Sequence, residues 1–377
     1  MISTYLEHPN QIPLLKNYIF QSIIIDLPLC SIRSFKRYPW SINELKHAKE
    51  QVNSQYFVLN IDGIYSDDEL MIIQSNFDTE FQSIFSAFRV QDPGITQWLK
   101  TSFPNATIQL NSETGNQNSY SLQVLFESGI DQITLNHELP FQTIQSFSEN
   151  HDNLEIFVQG NILIQYSRRH FISDHYGISS DEPISFTSED EDLPNRKFTF
   201  LNTTFGHFMF AHFHRCLAEY PDKLTQLSTL TWLIDSRGQS NDYFEICLKL
   251  YSGLGSLSKD IIKDYVEKLE HISNKPQRPS FFLSNNTDYD WRNYVNDFDK
   301  KQAIGRVISV SKLDTICIQF FQELTRDTII ICHNPDQTIK EFHISEIESN
   351  PTKPLKLYFI PWKKGIQTKG NLYIKDS

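Results

Sequence analysis

The sequence offers little that would serve a metal centre, a disulfide framework or a membrane span. Its five cysteines, Cys30, Cys216, Cys247, Cys317 and Cys332, are scattered and include no CxxC pair. That spacing matches neither a disulfide scaffold nor a zinc or redox motif, so free thiols in a reducing compartment are expected. No apolar run approaches the ~18 residues of a spanning helix. Residues 1–20 are polar where a secretory leader needs its apolar stretch, which makes a cytoplasmic location the expectation. A glycine-rich phosphate loop, a GxSxG elbow and a paired-carboxylate motif are all missing, so no motif names a nucleophile or a phosphate site.

Positive charge is also scarce. With 34 Lys/Arg against 46 Asp/Glu the net charge is −12, which disfavours non-specific coating of nucleic acid, because phosphates repel an acidic surface. The deficit is uneven. From Gln302 onward ten Lys/Arg face eight Asp/Glu, a net of +2, leaving −14 on the rest. From Lys353 there are six lysines and one acid, which read either as a solvated tail or as a contact for RNA or a partner protein.

What the chain does have is alternation. A 377-residue chain, 39% hydrophobic and 21% charged, can bury one large core and a small one. Strands are expected at 22–28, 56–62, 83–88, 107–112, 132–136, 154–160, 197–202 and 229–235, with helical segments between them. Ser41 with Glu44 forms a capping box, and Ser66 precedes three acids that a helix dipole favours. Further helices are expected at 94–103, 118–129, 140–150, 208–220 and 242–254. The pattern fits an α/β protein with a (β/α)8 TIM-like barrel over residues 1–275; a doubly wound open sheet is the alternative. A Pro-, Asn- and Asp-rich linker follows at 276–301, and short strands within 302–377 read as a small C-terminal β-barrel domain.

In such a barrel chemistry sits where the strands end. Polar residues at those ends are Asn60, Asp62, Arg89, Asn111, Ser112, His137, Glu138, Asn202, Asp235 and Arg237. They would ring one mouth, although ordinary strand-end capping leaves the same pattern. His207, His212 and His214 lie beside Cys216 in a segment expected to be helical. At about 100° per residue the first two point apart, and no zinc spacing is present, so they read as packing residues. Cys30 follows the first expected strand without an identifiable His partner and reads as a buried thiol.

The segment LEIFVQGNILIQYSRRHF at 154–171 carries a resemblance. Glu155, Phe157 and Gly160 match a signature in which Glu, an aromatic and Gly precede a Cys and, seven residues later, a second Cys. QDPGI, ITLNHELPFQTI, WLIDSRG and AIGRV match further elements in the same order. On these residues the chain resembles the collagenase-like U32 peptidase family. Cluster-bearing members of that family are similar to proteins that hydroxylate tRNA, ribosomal RNA or the ubiquinone ring, some as paired subunits. Leu163 and His170 stand where the resemblance places the two cysteines, and no Cys lies between Cys30 and Cys216. An NRGxC element is replaced by a Ser- and acid-rich stretch at 179–195. A four-iron cluster needs about four thiolates, so no cofactor and no metal are expected.

The resemblance therefore implies a cluster-free binding or partner subunit, working beside a cluster-bearing relative in RNA or quinone modification, with no membrane association. A peptidase-like hydrolase using His137, Glu138 and Asp235 is the second expectation. The third is a barrel that binds a small anion through Arg33, Asn60, Asn111, Arg168, Arg169, His170 and Arg237, with Asp174 and His175 close by in sequence.

Overall fold

The computed structural model describes residues 1–35, 38–77, 79–113, 115, 118–177, 183–189, 196–283, 303–322, 328–334, 338–343, 348–352, 357–368 and 370–375. The chain divides into two units, Met1–Asn285 and Asn286–Ser377.

Parallel strands close on themselves in the first unit. They are β1 (Ile2–Leu6), β2 (Ile19–Asp26), β3 (Asn53–Ile61), β4 (Ala87–Val90), β5 (Thr107–Asn111), β6 (Gln132–Leu135), the start of β7 (Leu154–Ser167) and, later in the chain, β11 (Thr231–Asp235). They pair in the order β11-β1-β2-β3-β4-β5-β6-β7, and β11 pairs back onto β7, which closes an eight-stranded barrel. Helices lie between them as expected, and both capping boxes form: the Glu44 and Glu69 carboxylates accept from the backbone N–H of Ser41 and Ser66. The strands bury both faces. Ile23, Ile25, Leu59, Phe88 and Ile108 belong to the large core shared with helix residues such as Leu45, Leu99 and Phe244. Tyr5, Ile24, Val58, Ala87 and Leu233 form a smaller apolar cluster on the alternate positions, inside the barrel.

The eight staves are not quite the eight read from the sequence. Ile2–Leu6 supplies the first; its sequence does not mark it as a strand, because ISTYL carries a buried Ser3 and Thr4 and makes only a short apolar run. The strand expected at 83–88 begins at Ala87, the residues before it closing the helix Thr79–Ile84. The strand expected at 197–202 exists, as β9 (Lys197–Thr203), but lies outside the barrel. It joins β8 (Ile184–Glu189) and β10 (Gly206–Cys216) in an antiparallel extension built on the outer half of β7. β10 contains most of the segment expected to be helical at 208–220. A short aromatic run has no decisive period, and the aromatic side chains favour a pleated surface once β7 offers an edge. Past the helix Lys259–Ser273, the short β12 (Gln277–Arg278) pairs with β10, and Ser280–Phe282 makes one tight turn. The remainder of the expected linker, 284–301, lies outside the described residues.

The second unit is a curled antiparallel sheet, a half-barrel. Its strands are β13 (Gly305–Val310), β14 (Thr315–Phe320), β15 (Ile329–His333), β16 (Ile339–His343), β17 (Glu348–Thr352), β18 (Leu357–Pro361) and β19 (Asn371–Ile374), ordered β16-β15-β19-β13-β14-β18-β17. Val307, Ile316, Ile318, Ile330, Phe342 and Leu372 fill its core. The lysine-rich end is thus no free tail over its described residues: it holds β18 and β19, and Lys375 pairs with Glu341 at 2.7 Å. No described helix is long and apolar enough to cross a membrane.

Gly160 marks where β7 leaves the barrel. Its φ is +136°, and a Cβ there would fall 2.1 Å from the carbonyl oxygen of Asp235. Both the backbone and the neighbouring strand therefore require glycine. Gly160→Ala is expected to destabilise the barrel by at least about 3 kcal/mol, read by chemical denaturation; a loss below about 1 kcal/mol would show that β7 and β11 can separate freely.

Candidate site at the barrel mouth

The register aligns Asp26 with Asn60 and Asn60 with Arg89, and likewise Asn111 with Thr134 and Thr134 with Glu155. Asp26, Asn60 and Arg89 lie two residues beyond Ile24, Val58 and Ala87, so they occupy the same inward face one layer nearer the strand ends. A polar layer thus sits directly on an apolar one.

Two ionic groups organise that layer. In the first, Arg89 and Glu155 are both wholly buried and meet at 2.7 Å. The Arg89 guanidinium donates to Thr134 Oγ1 at 2.8 Å, and that hydroxyl donates to Glu155 at 2.7 Å. The second group centres on Arg237. Its Nε and Nη2 donate to the two oxygens of Asp235 at 2.9 and 2.7 Å, a bidentate fork. Its Nη1 donates to Asp26 at 3.2 Å and stands 3.7 Å from Asp62. The guanidinium also lies over the Tyr5 ring, 3.7 Å from the centroid. Asn60 donates to Asp26 at 2.7 Å, and Asp62 accepts from the Ile32 backbone N–H at 2.8 Å. Arg33 pairs with Glu113 and approaches Asp62 at 4.0 Å.

The network separates its carboxyls. Burial raises the pKa of Asp26, and nearby Asp62 adds to this against the pull of Arg237. Burial pushes Asp235 upward as well, but Arg237 and its hydrogen bonds outweigh that and leave it below its ordinary value. Burial carries the Tyr5 phenol up to about 12, in spite of Arg237.

A small cavity of about 30 Å³ lies against this layer, lined by Tyr5, Arg33, Asn111, His137, Asp235 and Arg237 among others. That is room for about one water. It shares Glu113, His137, Ile162 and Leu163 with an outer groove of about 560 Å³. Ile64, Tyr166, Phe198 and Phe213 give the groove apolar walls; Glu138, Arg196 and His212 add polar tips. Leu163 packs beside Ile32, Leu201, Phe208 and Phe210, a separate apolar cluster.

The expected site residues therefore divide. Asn60, Asp62, Arg89, Asn111, Asp235, Arg237 and Arg33 converge at the mouth. Ser112, His137 and Glu138 line its cavity or groove. Glu155 and Gly160, read only as motif residues, are the buried partner of Arg89 and the exit of β7; the motif's Phe157 lines the inner cavity. Asn202 drops out of the ring, since β9 is no stave, and donates to Ser173 instead. Arg168, Arg169 and His170 follow the end of β7 and line none of these cavities; Arg168, exposed, pairs with Glu69 at 2.5 Å. Asp174 and His175 lie in the short exposed helix Phe171–Tyr176. Sequence reading passed over Asp26, Thr134 and Glu113. The signal was the two-residue spacing from Ile24 to Asp26, which places a carboxylate on the inward face.

The histidines of β10 are set by a strand, not a helix. His214 is buried, and its Nδ1 lies 2.9 Å from Tyr243 Oη. Burial, with Lys275 adding to it, lowers its pKa to about 3. All five cysteines are free and buried; burial raises Cys30, and lifts Cys216 to about 11. Among the described residues no group of three His, Cys, Asp or Glu side chains is arranged to hold a metal ion.

A histidine held neutral in the folded state and free to protonate when unfolded makes folding weaken as pH falls. The His214 contribution is complete above about pH 6.5 and is lost progressively down to its folded value of about 3. Wild type is expected to lose stability over this window faster than His214→Gln, by up to about 1.4 kcal/mol per pH unit. Equal slopes in urea denaturation would show that His214 protonates in place.

Residues 15–292, well over half the chain, match the sequence profile of peptidase family U32. No curated protein matches the chain.

Proposed function

The chain belongs to peptidase family U32, and on that footing we propose that it is a cluster-free member acting as a binding or partner subunit in RNA or quinone modification. One observation carries this reading: Leu163, which stands where the family resemblance places a cluster cysteine, is a packing residue in an apolar cluster. His170, at the second such position, heads the helix Phe171–Tyr176. The residues present do not fit an iron–sulfur cluster, which needs thiolates at those positions.

The outer groove supports the binding role. A volume of about 560 Å³ with aromatic walls and a few polar tips suits one planar ring system, a quinone or an unstacked base. Hydrolysis is less well served. Burial, with Arg215 adding to it, lowers the pKa of His137 to about 3, which makes it a weak general base at neutral pH. Asp235 has both oxygens on Arg237. The arginines at the mouth favour no small anion, because Arg33 and Arg237 already face carboxylates.

Anaerobic reconstitution of the purified chain with iron and sulfide, followed by titration with a short-chain ubiquinone and with single-stranded RNA, tests this. No stoichiometric iron and no broad visible absorption are expected, with saturable binding of the quinone or the RNA. A stoichiometric cluster, or binding of neither ligand, would overturn the reading.

A further inference from the structure

A second cavity, of about 500 Å³, opens beside the β8–β9 hairpin, and its lining is polar. Ser185 and Thr187 are on alternate positions of β8 and so share a face, and Thr199 of β9 sits directly opposite Thr187. Lys197 and Lys275 also line the cavity, and no Asp or Glu does so among the described residues.

Lys275 is the informative member. It is only 8% exposed. Its ammonium donates to two neutral acceptors, Ala211 O at 3.0 Å and Asn161 Oδ1 at 3.3 Å. Among the described residues no carboxylate pairs with it. A buried cation held only by neutral dipoles is incompletely compensated, and an anion in the adjoining cavity would complete it. Burial lowers its pKa to about 8, the mark of that shortfall. The helix Lys259–Ser273 ends at the cavity wall, where its C-terminus presents roughly half a negative charge. Two ammonium groups outweigh it. The pair between Lys197 and Glu189, at 3.7 Å with both side chains about half exposed, holds Lys197 only weakly.

We propose that this cavity binds the phosphate group of a small phosphate monoester, with Lys275 as the buried charge partner and Ser185, Thr187, Thr199 and Lys197 as further donors. A tetrahedral oxyanion accepts from several directions at once, which suits hydroxyls and amines spread over two strands and a helix end. The volume exceeds inorganic phosphate alone, so the ester carries a further polar group of modest size. Asn161 also lines the inner cavity of the barrel, so one side chain borders both sites. The proposal does not depend on the ligand of the mouth.

Isothermal titration of the full chain with inorganic phosphate and with ribose 5-phosphate tests it, with chloride at matched ionic strength as control. Both phosphates are expected to bind saturably, the ester more tightly. Lys275→Met should weaken each at least 10-fold. The double variant Thr187→Val/Thr199→Val, whose changes lie on the hairpin away from the barrel core, should weaken them several-fold with an unchanged melting temperature. Heat no larger than the chloride control, or unaltered affinity in either variant, would overturn the proposal; should Lys275→Met fail to fold, the hairpin variant decides alone.

Discussion

Arg89 can be wholly buried inside the barrel because Glu155, 66 positions later in the chain, meets it there. Moving an ion of either sign out of water costs several kcal/mol even after relaxation, so each is tolerable only with the other in place. The pairing fixes the levels of β4 and β7 relative to each other across the interior, with Thr134 of the intervening β6 hydrogen-bonded to both. Arg237 imposes a similar condition elsewhere in the same polar layer, tying the end of β11 to the ends of β2 and β3. A register slip of one residue would turn these groups onto the helix-facing side and leave several charges unpaired in an apolar layer.

The same constraint shapes the chemistry of the mouth. Arg33, Arg89 and Arg237 are spent on side chains of the chain itself, with five carboxyl groups, those of Asp26, Asp62, Asp235, Glu113 and Glu155, set around three guanidinium groups. An incoming anion meets an excess of the wrong sign. The free volume lies farther out, in the groove with aromatic walls, and in a separate polar cavity where Lys275 has no acidic partner among the described residues. The two proposals, a ring in the outer groove and an oxyanion beside the hairpin, both rest on where charge is already neutralised and where it is not.

Much of the barrel was legible because long strands buried on both faces leave continuous apolar runs, and capping boxes such as Ser41–Glu44 mark where helices begin. Ile2–Leu6 was not legible, since the buried Ser3 and Thr4 break its run. β10 is a strand where a helix is expected because FMFAHFH fits a helix as readily as a strand, and only the free edge of β7 decides between them. At the site, strand-end polarity identified Asn60, Arg89 and Asp235. It could not show that Arg89 is matched by Glu155 or Arg237 by Asp26, because those partners are brought together only by closure of the barrel. Lys275 carried no local signal at all: its significance is that, among the described residues, no carboxylate pairs with it, which is a property of the fold.

A double-mutant cycle on Arg89 and Glu155, followed by urea denaturation, tests the internal neutralisation most directly. Arg89→Met alone is expected to cost about 3–5 kcal/mol, by stranding a buried carboxylate. Arg89→Met with Glu155→Leu should recover most of that loss, since neither charge then remains. Single losses that simply add in the double variant would contradict the account, and would mean that the two side chains do not neutralise each other inside the barrel.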